Sequence, residues 1–348
     1  MHRPRIAVLA LIAFAVIPAG AQAAKKAKPD VTVMSRNLYL GADIITLATA
    51  SDLNSEMDKA KALHATVDQT DFATRAKAIA AEVKQNKPDV IGLQEVARYY
   101  KGADGVHDGI NDARTPIYDW LALLQKQLKA KGLTYKAVSR QDEIDVEVPS
   151  ADGYDLRLVL GNTVLLRTGK GARVKFVKDV HGIFSDQLSV PLADGHAVDL
   201  KRGFAGMDGK VAGKKFRFLD PHAEAYSAEL ASKQFAELLT TGAKSKTLPT
   251  IMAGDFNSDP AATGGAAAGY LNVIHGGFKE TGKRASTCCQ DENLLNPVSK
   301  LDQWIDHIVV RPAATVLRSV VVGAKPTDRI SGLWPSDHAG VVATLRLK

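Results

Sequence analysis

Short apolar segments in this chain end, one after another, on carboxylate, carboxamide or imidazole side chains. Asn37 follows the β-rich residues 31–35, and Gln94-Glu95 follow the apolar residues 90–93. Asp220-Pro221-His222 follow residues 216–219, and Gly254-Asp255-Phe256-Asn257 follow residues 250–253. Ser336-Asp337-His338 precede the last apolar stretch, residues 341–347. Strand ends bring side chains to a common sheet edge, held by the core behind them. Any one of these positions alone reads as ordinary structure: a solvated strand end, an Asx-turn or a structural histidine. Together they require a sheet-rich core with polar groups gathered at one edge.

The other segments fit such a core. Residues 71–85 predict an amphipathic helix, with Phe72, Ala76, Ile79, Ala80 and Val83 at helical spacing, and Lys87-Pro88 ends it. Residues 42–70 read as mixed helix and loop, 99–113 as a Gly/Asp-rich loop, and 116–130 as a helix. β-like stretches then follow at 135–139, 156–160, 163–166, 174–177 and 216–219, a run that argues for antiparallel pairing. A helix is expected over 224–240 and a flexible Ala/Gly loop over 261–269. Strands over 304–310, 315–322 and 341–347 complete the count. The expected class is α/β (α+β), with β-sheets inside and helices outside, in one domain over residues 24–348.

Residues 1–23 read as a secretory signal peptide: Arg3 and Arg5, an apolar run over 6–18, then Ala21-Gln22-Ala23 before the cleavage point. Removing Arg3 and Arg5 takes the formal charge from +7 to +5. The expected location is secreted or periplasmic, with no stable membrane insertion after cleavage. A mildly basic chain suits an anionic substrate, but no Lys/Arg run marks a nucleic-acid groove. Of the two cysteines, adjacent at Cys288 and Cys289, neither belongs to a disulfide framework or a C-x-x-C zinc pattern. Their redox state and the oligomeric state are open at this level.

Hydrolysis of a phosphate ester needs this polar inventory. The negative phosphate repels hydroxide, so the reaction needs a cation on its oxygens, a base for water, and donors for the developing charge. Mg²⁺ takes oxygen ligands, commonly one or two carboxylates, with Mn²⁺ or Ca²⁺ as alternatives. Glu95 is the leading metal ligand, with Asn37 beside it and Asp337 as a second carboxylate. Asp255 is the candidate water activator and Asn257 a phosphate donor. His222 and His338 are candidates for contact with the phosphate or for acid/base work, with Asp306 orienting a histidine.

Asn37, Leu93-Gln94-Glu95-Val96, Gly254-Asp255-Phe256-Asn257, Ile305-Asp306-His307-Ile308 and Ser336-Asp337-His338 resemble the successive signatures of the endonuclease/exonuclease/phosphatase superfamily. They occur in that family's order across nearly the whole chain after the signal. The family includes pancreatic-type deoxyribonuclease, abasic-site endonucleases, bacterial sphingomyelinases and inositol polyphosphate 5-phosphatases. The resemblance implies a two-sheet β-sandwich flanked by helices, with the active site at one end. It implies that Glu95 binds the metal with Asn37 beside it, and that Asp337 lies near the metal. Asp255 and Asn257 would position the nucleophile and the phosphate. His338, oriented by Asp306, would contact the scissile phosphate, and His222 would act on the phosphate or leaving group. Thr163-Val164-Leu165-Leu166-Arg167 resembles a family strand that carries a basic residue near the site.

A Mg²⁺-dependent phosphodiesterase or nuclease is the favoured reading; Arg98, Tyr99, Tyr100 and Lys101 would serve as a basic and aromatic nucleic-acid surface, although a solvated loop with ordinary surface tyrosines accounts for them better. A phosphomonoesterase, or a phospholipid diesterase of the sphingomyelinase type, is the alternative. The second would bind a lipid head group and expose an apolar hairpin, for which residues 330–335 are the candidate. A catalytically silent binding protein would lack one of these ligands, and none is missing. A zinc hydrolase on His222, His307 and His338 is a further reading, though it lacks a paired histidine motif.

Overall fold

The computed structural model describes residues 27–103, 111–193, 197–312 and 314–348. The segment read as a signal peptide lies outside the described residues. In chain order, β1 (Asp30–Asn37) is followed by α1 (Leu53–Gln69), α2 (Phe72–Asn86), β2 (Val90–Gln94), β3 (Arg98–Lys101) and β4 (Thr115–Asp119). Next come α3 (Trp120–Ala130), β5 (Thr134–Ser150), β6 (Tyr154–Thr168), β7 (Val174–Asp179), β8 (Gly182–Ile183), β9 (Leu188–Pro191) and β10 (Ala197–Leu200). Then follow β11 (Gly203–Val211), β12 (Lys214–His222), α4 (Ala228–Thr240), β13 (Thr250–Asp255) and α5 (Ala268–His275). The chain closes with β14 (Lys279–Glu280), β15 (Asp306–Arg311), β16 (Thr315–Val322) and β17 (Gly340–Arg346).

Two mixed sheets carry the fold. One has the order β16-β17-β1-β2-β6-β3-β4, with β5 also paired to β6. The other runs β14-β15-β13-β12-β11-β7, with β8 also paired to β11. β9 and β10 form a separate ribbon. Val31 and Val33, Val90, Val164 and Ala343 of the first sheet pack on Met207, Phe216, Phe218, Ile251 and Ile308 of the second. The two sheets thus face each other as a sandwich, and each fully buried Phe contributes roughly 1.5–3 kcal/mol. The outer face of the first sheet is covered by α2 and α3, through Ile79, Trp120 and Leu124. The outer face of the second is covered by α4 and α5, through Phe235, Leu238 and Val273.

Strand alternation carries this packing to the sandwich end. Val31 and Val33 point between the sheets, so Asn37 shares their parity along β1. By the same rule His222 follows Phe216 and Phe218, Asp255 follows Ile251 and Ala253, and Asp306 precedes Ile308 and Val310 on the inner side. The register then lines them up. Asn37 lies opposite Gln94, and Asp255 lies between His222 and Asp306.

Several local expectations change. Residues 98–101 and 115–119 pair as strands, and the helix read as 116–130 begins only at Trp120. Pro116 is tolerated because β4 is an edge strand, where its missing N–H has no partner to lose. The ambiguous residues 42–70 contain a 3-10 turn at Ile44–Thr49 and the long α1. Part of the expected Ala/Gly loop is α5, which gains its stability by burying Tyr270 and Val273. β5 and β6 form one long hairpin, absorbing three stretches read as separate strands.

Candidate active site

Glu95 sits just past β2 with φ of 55°, a left-handed conformation that costs a non-glycine residue free energy. That turn points its carboxylate to the sandwich end, where Leu40 N–H donates to Oε2 at 2.7 Å. The Asn37 amide nitrogen donates to Glu95 Oε1 at 3.0 Å and to Asp255 Oδ2 at 3.1 Å, so one side chain ties the two sheets' carboxylates together. Its oxygen accepts from Tyr39 N–H at 2.8 Å. Asp255 Oδ1 accepts from Asn257 N–H at 2.9 Å, in an Asx-turn that aims Oδ2 into the cavity. Asn257 has φ of 47°, which asparagine tolerates better than other residues with a Cβ, and gives one amide hydrogen to Ala223 O at 3.0 Å.

Two histidines flank Asp255. His338 Nε2 and His222 Nε2 each lie 3.7 Å from Asp255 Oδ2. His338 Nδ1 is held by Asp306 Oδ2 at 2.8 Å. Burial alone would lower its pKa, but the Asp306, Asp337 and Asp255 carboxylates overcome this and hold it well above the usual histidine value. His222 is pushed the other way, well below that value, by burial and by the positive charges of Arg202 and His338. One imidazole is therefore charged and the other neutral within one site.

His222 reaches its position despite Pro221. The proline has no N–H for the β12–β13 ladder, and pairing skips from Leu219–Met252 to His222–Asp255. Gly254 makes the close approach feasible: a Cβ there would meet Pro221 O at 2.1 Å. Behind the site, Gln94 hydrogen-bonds the buried Asp220 across the sandwich. Burial holds the Asp220 carboxyl well above its ordinary pKa.

The loops are held from α2. Arg75, fully buried, donates to Leu38 O at 2.7 Å, Tyr39 O at 3.1 Å, Pro335 O at 3.0 Å and Thr70 O at 2.7 Å. It thereby joins the segment after Asn37 to the segment before Asp337. Arg36 pairs with Glu82 at 3.1 Å and donates to the His338 carbonyl. Ser336 Oγ donates to Asn37 O at 2.9 Å and accepts from His338 N–H at 3.2 Å.

These groups open on a cavity of about 290 Å³ lined by Glu95, His222, Asp255, Asn257, Asp337 and His338, with Tyr39, Asp43, Tyr226 and Cys288-Cys289 on its walls. Among the described residues the two cysteines are joined to each other. The donor set suits a hard divalent cation. Burial, with Asp306, pushes Asp255 up to about 7, and burial, with Glu95, pushes Asp337 up to about 6. Carboxylates crowded in this way are relieved by a positive charge.

Other sequence candidates lie elsewhere. His307 has the opposite parity to Asp306 on β15. Its Nδ1 meets Glu280 at 2.9 Å and its ring packs on Phe256, Tyr270 and Trp304, so no three-histidine zinc site forms. Arg167 pairs near Asp89, at the far end of β2 from Glu95. The basic residue at the site is Arg202, just before β11. It is buried, its Nη1 lies 3.4 Å from both His222 ring nitrogens, and its Nε is 3.4 Å from Glu224. The sequence reading missed it because β11, with three glycines in nine residues, carries no strand signal.

The chain belongs to the endonuclease/exonuclease/phosphatase family, whose model matches residues 54–338. It is thus a hydrolase of phosphate esters, of a family that generally uses divalent metal ions. No curated protein matches it in sequence. A family protein from Bacteroides thetaiotaomicron superposes with TM-score 0.56 at 19% identity, over 92% of this chain and 98% of the other. A mannosyl-6-phosphatase of the same organism gives 0.55 at 20% identity, over 91% and 100%. D. rerio TDP2 with single-stranded DNA product gives 0.51 at 16% identity, over 91% and 99%. At these identities the structures share the deoxyribonuclease-like fold.

Proposed function

We propose that the chain is an exported, Mg²⁺-dependent hydrolase of small phosphate esters, cleaving by attack of water on phosphorus. The observation that carries this reading is the convergence of Glu95, Asp255, Asp337, His222 and His338 on one cavity. Glu95 and Asp337 would hold the metal, and Asn37 fixes Glu95 against Asp255. Bound there, Mg²⁺ supplies positive charge to the phosphate oxygens. Asp255, pushed up to about 7, is suited to take the proton of the attacking water near neutral pH. His338, held as an imidazolium by Asp306, stabilises charge developing on the phosphate. Neutral His222 and the free amide hydrogen of Asn257 add hydrogen bonds to the same oxygens.

The nuclease form of this reading keeps only part of its sequence support, since Tyr100 is half-buried and Lys101 exposed but the other two residues are engaged within the fold. Tyr99 is buried with its hydroxyl on Leu40 O, and Arg98 pairs with Asp142 at 2.6 Å. The sphingomyelinase form loses its hairpin, since Trp334 is buried against Tyr39, Leu294 and Leu333. No helix among the described residues is long and apolar enough to cross a membrane. The test is turnover of p-nitrophenyl phosphate and bis-p-nitrophenyl phosphate with Mg²⁺ and with EDTA. Mg²⁺-dependent release from either ester is expected; release from neither, or release indifferent to EDTA, contradicts the reading.

A further inference from the structure

We infer that this site takes the terminal phosphate of a small, uncharged, polyhydroxylated compound, with Arg202 reading the phosphate and Tyr226 the organic part. The inference rests on the hydrolase reading above and narrows its substrate class.

Arg202 lines the cavity beside the reacting groups. Its Nε is ion-paired with the buried Glu224 at 3.4 Å and its Nη1 lies 3.4 Å from His222, which leaves Nη2 with no hydrogen bond among the described residues. A guanidinium carries its charge at every pH of interest, and its fork matches two phosphate oxygens. A monoester offers two ionisable oxygens and a diester one. At equal distance the attraction of a fixed cation for a dianion is twice that for a monoanion. Burial strengthens that difference, because solvent screens less.

The cavity mouth has the opposite charge. Tyr226 Oη donates to Asp43 Oδ1 at 3.2 Å, and Asp43 N–H donates to Glu292 Oε1 at 3.2 Å. A nucleic-acid strand or an anionic lipid surface crossing this rim would bring phosphates onto carboxylates, a like-charge contact that costs free energy. Hydroxyl groups would instead find acceptors there. Tyr226 is 52% exposed although its backbone is tied to Glu224 at 2.9 Å, so a phenol ring stands open at the mouth in a fixed place. A ring of this kind packs against the C–H face of a polyol and leaves its hydroxyls to the carboxylates. A cavity of about 290 Å³ is at the small end for ligand sites and suits one such molecule.

The experiment compares kcat/KM of the Mg²⁺-loaded full chain on glycerol 1-phosphate, a hexose 6-phosphate, p-nitrophenyl phosphate, bis-p-nitrophenyl phosphate and a single-stranded oligonucleotide. The polyol monoesters are expected to lead. Arg202→Gln should lower kcat/KM on monoesters by roughly 10- to 100-fold, the worth of one charged hydrogen-bond pair, and affect the diester far less. Tyr226→Ala should raise KM for the hexose phosphate without a matching rise for p-nitrophenyl phosphate. If the diester or oligonucleotide leads, the inference is overturned and the hydrolase reading stands. If no ester is cleaved, both fail. An equal loss on monoester and diester in Arg202→Gln would reduce Arg202 to a support for His222 and overturn its assignment. Should that variant not fold, Arg202→Lys and the wild-type ranking make the same decision.

Discussion

Asp255 stands between two imidazoles of opposite protonation, and that asymmetry sets their roles. His338 is charged because three carboxylates surround it, and His222 is neutral because Arg202 and burial oppose its proton. Pairs of groups driven apart in this way divide acid and base work. Asp306→Asn removes the charge that orients and charges His338, so kcat is expected to fall roughly 100-fold or more with a smaller change in KM; steady-state kinetics checks this, and an unchanged kcat removes His338 from the chemistry. Glu143 makes a separate statement about pH. It is buried at the β5 bulge, where the Arg202 charge and the Gly203 N–H only partly offset the loss of water, and burial pushes its pKa up to about 8 from 4.5. A raised folded value means that its contribution is fully present below about 4.5 and is lost as pH rises through about 8. The wild type should therefore lose stability relative to Glu143→Gln between those limits, by roughly 1.4 kcal/mol for each unit of the shift. Urea midpoints at pH 5 and pH 8.5 measure it, and parallel curves would contradict the burial argument.

At the level of elements, α2 does more than cover a sheet. Arg75 and Glu82 lie on its inner face, four residues before and three after Ile79, and both tie down site loops. Arg75→Ala would strand four buried carbonyls, at an expected cost of roughly 3 kcal/mol or more and with loss of activity; a denaturant midpoint near that of wild type would contradict the clamp. Helical spacing alone put Arg75 and Glu82 on that face, so the signal was present, but charged residues are read as solvated by default. α5 shows the reverse failure. Its first two residues, Ala268 and Gly269, end an Ala/Gly run that reads as loop, and packing of Tyr270 and Val273 beneath α4 fixes the helix. Gly254 belongs to this scale too. Gly254→Ala should destabilise by roughly 1–3 kcal/mol as Pro221 is displaced, and a neutral result in thermal unfolding would show that β12 shifts freely.

For the whole molecule, the sandwich turns positions scattered from residue 37 to residue 338 into one site. That much was legible, because a period of two carries Asn37, His222, Asp255 and Asp306 from the inner faces to a common end. Glu95 obeys no such rule, and its turn-held position came from the motif around it. Arg202 left no trace, since its strand is Gly-rich and its role exists only once β11 lies beside β12. The proposed chemistry depends on Glu95 holding a catalytic cation within this end of the sandwich. Activity against Mg²⁺ concentration, for wild type and Glu95→Gln, is the decisive measurement. Glu95→Gln is expected to need far more Mg²⁺ for half-activation and to regain turnover as Mg²⁺ is raised. Identical activation curves for the two proteins would contradict it.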